Sequence, residues 1–145
     1  MTTSLGDIRA GLKSNLDTIA GPFLAYIAAP SAPKPPCAWP WPDDPFIDRE
    51  SMQMGIMCTH WKVVVLVASA DSDHGIDELD SYLITTGEKS VWRAIESDRR
   101  APNGALNGAA SDVLVKEVRR WDGNYIVGGN PYFAAEISVT VYGTG

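Results

Sequence analysis

Thiols, imidazole and basic charge are all scarce in this chain. Two cysteines, Cys37 and Cys58, and two histidines, His60 and His74, occur in 145 residues. Two cysteines cannot make a disulfide framework, and without an export segment both are read as free thiols. Structural zinc sites draw on closely spaced ligand pairs in tight turns. Cys58-Thr59-His60 puts two ligand types on one strand face, but Cys37 and His74 stand elsewhere, so no metal is expected. Long apolar runs are missing too. The longest, Val63–Ala68, is far too short for a membrane-spanning helix. The first residues hold no basic segment followed by an apolar one, so no secretion signal is expected. Lys and Arg number 12 against 18 Asp and Glu, a net charge of −6. That balance argues against avid binding to nucleic-acid backbones, while permitting the lining of a passage through which DNA slides.

Catalytic motifs fail on inspection. Thr85-Thr86-Gly87-Glu88-Lys89-Ser90 resembles a phosphate loop, but Glu88 stands where glycine must precede the lysine, and its charge repels phosphate. Asp71-Ser72-Asp73-His74-Gly75 begins like a calcium loop. Its glycine comes one position early, and Tyr82 replaces the bidentate glutamate. Asp71, Asp73, Asp77 and Glu78 read instead as a cap and first-turn acids of a helix. Neither histidine has a G-x-S-x-G serine to activate. No enzyme activity and no cofactor are expected.

What is present is a core. The apolar share is 45%, and the length suits one domain spanning residues 1–145. Ser4-Leu5-Gly6-Asp7 has the form of a capping box. Leu5, Ile8, Leu12, Leu16 and Ile19 then recur at helical spacing until Gly21-Pro22. A strand is expected over Phe23–Ala28. An arm rich in proline, residues 30–45, must be an edge strand or an extended segment, because proline cannot donate to a ladder. Residues 56–70 give the strongest strand pattern, with Trp61, Val63, Val65 and Val67 facing one way. Helices are expected over 73–84, with Ile76, Leu79 and Leu83 inward, and over 90–97, burying Val91 and Ile95. Residues 102–112, rich in Gly, Asn and Ala, read as a mobile loop. Strands near 113–121 and 132–142 close the chain, with Asp122-Gly123 and Gly128-Gly129-Asn130 punctuating the link and 125–127 extending the pairing. The fold class expected is α+β, a mainly antiparallel sheet with helices packed on one face.

The last strand poses a question. Phe133, Ala135, Ile137, Val139 and Val141 alternate toward the core. The opposite positions, Tyr132, Ala134, Glu136, Ser138, Thr140 and Tyr142, carry one charge among them. A face so weakly charged, with no helix left to cover it, reads as an interface with another subunit or a tube. A charge at Thr140 is then expected to disturb assembly while the monomer still folds. In the arm, Trp39 and Trp41 share a face at period two, as contact anchors or as edge seals. If they are anchors, loss of Trp39 weakens assembly alone. The basic pairs Arg99-Arg100 and Arg119-Arg120 are available to acidic neighbours.

The element order, with "HWKVVVLVASADS" leading into "IDELDSYLITTGEKSVWRAIESD" and the ending "VKEVRRWDGNYIVGGNPYFAAEISVTVYG", resembles the tail terminator proteins of long-tailed (siphovirus-type) phages, particularly of actinobacteriophages. The resemblance spans nearly the whole chain. It implies a virion protein at the head-proximal end of the tail, assembled in the host cytoplasm as a hexameric ring. The ring would cap the major tail tube protein, end tube polymerisation and meet the head–tail connector or stopper. DNA would pass through without specific binding, and no membrane is involved. Two other readings are another head–tail joining protein, a stopper or connector completion protein, and an unrelated carbohydrate-binding module using Trp39 and Trp41.

Overall fold

A computed structural model describes residues 5–19, 23–28, 30–48, 56–69, 75–99, 105–106 and 108–144. The Ser4 cap, the Gly21-Pro22 stop, the Asp71–His74 cap and Arg100 lie outside them. The fold is α+β. Three helices, α1 (Leu5–Leu16), α2 (Gly75–Leu83) and α3 (Val91–Glu96), accompany five strands. The strands are β1 (Leu24–Ala25), β2 (Cys37–Asp48), β3 (Ile56–Ser69), β4 (Asp112–Val127) and β5 (Asn130–Thr144), in the order β1-β2-β3-β5-β4. Only the short β1–β2 pairing is parallel among these strands.

The helices lie on one face of the sheet, and period two explains which one. Trp61, Val63 and Val65 of β3 pair across the ladder with Val139, Ile137 and Ala135 of β5, and all six are buried. Ile8, Leu12 and Leu16 of α1, Leu79 and Tyr82 of α2, and Val91 and Ile95 of α3 complete this core. Within α2 the inward set differs from the expected one. Ile76 is exposed and Tyr82 is buried in its stead, its ring against Phe23 with centroids 5.1 Å apart. Ser90 caps α3 by accepting from the Arg93 amide at 3.0 Å.

Other expectations are changed as well. The strand expected over 23–28 contracts to Leu24–Ala25. Of the two forms expected for the proline segment, it takes the strand, 12 residues from Cys37 onward, with β1 paired only to Cys37 and Ala38 on its outer side. The proline spacing explains how. The carbonyls of Pro36 and Ala38 accept from Leu24 and Tyr26, on the side away from β3. Pro40 and Pro42 share that parity, so their missing N–H groups face the free margin beyond β1, and no bond to β3 is lost. Finally, the segment expected to be a mobile loop contains a packed turn. Ala105 and Ala110 bridge, Leu106 is fully buried, and the Leu106 amide donates to Asp98 Oδ1 at 3.0 Å. Asn15 of α1 donates to the same oxygen at 3.0 Å, which ties this turn to the helices.

The β4–β5 hairpin is also longer than expected. Asp122-Gly123 is not a turn but lies in a register shift inside β4. The reversal occurs at Gly128-Gly129, both at positive φ, 60° and 83°, as a two-residue hairpin turn of the primed kind requires.

Candidate functional site

The face of the sheet away from the helices carries every candidate residue of β5. Alternation sets the facing as expected, but the face is not left bare. Thr140 is 1% exposed, Glu136 9% and Ala134 fully buried, while Tyr132, Ser138 and Tyr142 are partly buried. The cover comes from within the chain, which corrects the expectation that it must come from another molecule. At one end Cys37, Trp39, Val64, Leu66 and Ala134 form a second small core, flanked by Tyr26, Tyr125, Val127 and Tyr132.

The middle of the face is ionic. Lys62 donates to Glu136 Oε2 at 3.4 Å, and the Tyr125 hydroxyl donates to the same oxygen at 2.7 Å. Burial first, and then the hydrogen bond and charge of Glu136, raise the Tyr125 hydroxyl well above its usual pKa. Arg120 lies over the Tyr125 ring, 5.1 Å from its centroid, and its guanidinium also pairs with Asp122 at 2.8 Å.

Above this cluster an ion pair joins two strands that are not neighbours. Arg119 of β4 binds the Asp43 carboxylate of β2. Three strand spacings separate β2 from β4, about 14 Å in a flat sheet. The long Arg119 side chain crosses most of that span, so the pair ties the two strands together over this face. Both residues sit at irregularities, Asp43 between Pro42 and Ile47, and Arg119 between Val118 and Arg120. Bulges bend a strand and re-aim its side chains. Burial pushes the Asp43 carboxyl up, but the Arg119 and Asp44 hydrogen bonds and the charges of Arg119 and Lys62 outweigh it and hold the group below its usual range.

At the other end of the face Cys58 Sγ lies 3.7 Å from His60 Nε2, and Thr140 Oγ1 lies 3.4 Å from His60 Nδ1. These are the parts of an activated thiol, yet Cys58 is fully buried and presents no nucleophile. Cys37 is opposite Leu66, eight residues along β3 from Cys58, so the thiols cannot meet within one chain. Burial pushes the Cys37 thiol up to about 12. Among the described residues no three His, Cys, Asp or Glu side chains converge to hold a metal.

The two tryptophans of β2 share this face but divide. Trp39 is 3% exposed and belongs to the small core, whereas Trp41 is 46% exposed. Of the basic pairs, Arg99 finds its acids inside the chain, Asp112 at 2.8 Å and Glu96 at 3.9 Å, as Arg119 and Arg120 do. Sequence reasoning missed Asp43, Lys62 and Tyr125. Lys62 was open to discovery, since it alternates with Trp61. Asp43 was not, because a bulge breaks the alternation that facing is read from. Large apolar side chains stand exposed along both margins of the sheet. Leu24, Ile27, Trp41 and Ile47 lie on the β1–β2 side, and Val118, Trp121 and Ile126 on β4.

Neither a scan of protein-family models nor a search of curated proteins finds a match to this chain. No helix among the described residues is long and apolar enough to cross a membrane.

Proposed function

We propose that the chain is a structural virion subunit that assembles with copies of itself into a closed ring. In this reading the ring caps the tail tube at its head-proximal end, stops its growth and meets the connector. The observation that carries the proposal is the pair of apolar margins. A ring with head-to-tail contacts needs two different, non-overlapping surfaces on each copy. Trp41 and Ile47 on one margin, and Val118 and Trp121 on the other, are the large side chains that such contacts use. The contact surface is thus assigned mainly to the margins, with Tyr132, Ser138 and Tyr142 as the β5 positions still partly open. The net charge of −6 suits a lumen that repels DNA. Carbohydrate binding by stacked tryptophans is less favoured, because Trp39 is buried and leaves one exposed ring.

The test is imaging of the purified protein alone and with tail tubes. Closed rings that bind one tube end, lost in a folded Trp41→Ala or Trp121→Ala variant, support the reading. Rings that bind connectors but never tubes favour a stopper. Monomers that ignore tubes at all concentrations overturn it.

A further inference from the structure

We infer that the Asp43–Arg119 clasp fixes the curl of the sheet, and through it the angle at which one copy meets the next. The inference rests on the ring reading for its consequence, and on the single chain for its geometry. In a closed ring each contact turns by a full circle divided by the number of copies. Something in the subunit must therefore hold the angle between its two contact margins.

The backbone ladder cannot do this between copies. Pro40 and Pro42 remove two donors from the free side of β2, and three register shifts break the regularity of β4. Neither margin invites a neighbour to continue the sheet, so the angle has to be set inside each chain. The clasp is placed to do so. It spans β3 and β5 to join the two long outer strands, at bulges whose positions nearly coincide. Pro42 faces Trp61, and Trp61 faces Val139, only two to three residues from the Ile137 and Glu136 that flank Arg119 on β5. Exposed ion pairs add little stability. The Asp43 side chain, however, is 13% exposed and stands beside Lys62, so it is held rather than free. The expected role is therefore geometric: with the clasp gone, the chain folds but its margins splay.

Spin labels at Asp44→Cys and Lys116→Cys, one per margin, read the curl directly when labelled chain is diluted in excess unlabelled chain. The expected result is one narrow distance. Asp43→Asn and Arg119→Gln should broaden it or lengthen it by more than about 2.5 Å, half a strand spacing. The exchanged pair Asp43→Arg with Arg119→Asp should restore it. Circular dichroism confirms folding of each variant. Unchanged distances in both single variants overturn the curl assignment, whatever the stoichiometry. Native mass spectrometry reads closure. One stoichiometry for the natural chain and a spread of sizes for the single variants support the link from curl to copy number. A shifted distance with unchanged stoichiometry overturns that link. A natural chain that stays monomeric, with a clasp-dependent distance, overturns the ring reading and leaves the curl assignment standing.

Discussion

Glu136 offers the sharpest check on the open face. Its carboxylate accepts from Tyr125 at 2.7 Å and from Lys62 at 3.4 Å while 9% exposed. Glu136→Ala removes a charge-assisted bond and leaves a half-buried phenol without its acceptor, at a cost of about 1.5–3 kcal/mol. Lys62 retains access to water, so losing its ion pair adds less than about 1 kcal/mol. A total near 3 kcal/mol should lower Tm by about 10 °C for a chain of this size. Glu136→Gln keeps an acceptor for Tyr125 and should cost only about 1 kcal/mol. The assay is urea unfolding of both variants, with Tyr125→Phe as the partner in a double-mutant cycle. Tyrosinate titration gives a second readout. The Tyr125 hydroxyl is raised above 10.0 by burial and then by Glu136, so its contribution is full below that pH and is lost as pH rises through the folded value. Glu136→Ala should bring that value down. If Glu136→Ala unfolds within about 0.5 kcal/mol of the natural chain, the network is not holding this face and the reasoning fails.

Trp39→Ala should destabilise the isolated chain by about 3–5 kcal/mol in urea unfolding, whereas Trp41→Ala should change it by less than about 1 kcal/mol. Of the two roles open to Trp39, contact anchor or edge seal, its burial selects the seal. Gly75→Ala should cost about 1–3 kcal/mol, because the added methyl would overlap the Phe133 ring, which must move. A midpoint unchanged from the natural chain would mean that α2 is not seated on Phe133. Both thiols are buried, and Cys37 is pushed up to about 12, so a thiol reagent at mildly alkaline pH should modify neither until denaturant is added. Rapid modification of the folded chain would contradict that packing.

The fold class, the helices and the core face of β3 and β5 were legible because each rests on a local period. Trp61 through Val67 and Phe133 through Val141 state their facing in the sequence itself. The proline segment was legible in half. Proline forbids a ladder donor, and Pro40 and Pro42 do lie on the free side, but composition could not show that Ala38 would also accept a bond from Tyr26, just past β1. Leu106 was hidden for another reason. It sits among Gly, Asn and Ala, and only its contact with Gly11 of α1, far away in sequence, shows why it is buried.

The open face marks where local reading stops. Its weak charge was a sound sign of burial, but burial has two sources, another molecule or the curl of the sheet. Period two fixes which way Thr140 points and says nothing of how strongly the sheet bends above it. Bending depends on the register shifts near Asp43 and Arg119, and a shift appears only when two strands are laid side by side. Thr140 is therefore a poor place to test assembly. A lysine there would put a charge at a position 1% exposed in the single chain, and unfolding would be mistaken for failure to assemble. Trp41 is the better probe, because it is exposed before any partner arrives, and Trp121 serves with Asp80→Ala as its control, since its indole also donates to Asp80 at 3.2 Å. A loss of rings on their truncation, with the fold intact, reports the contact itself.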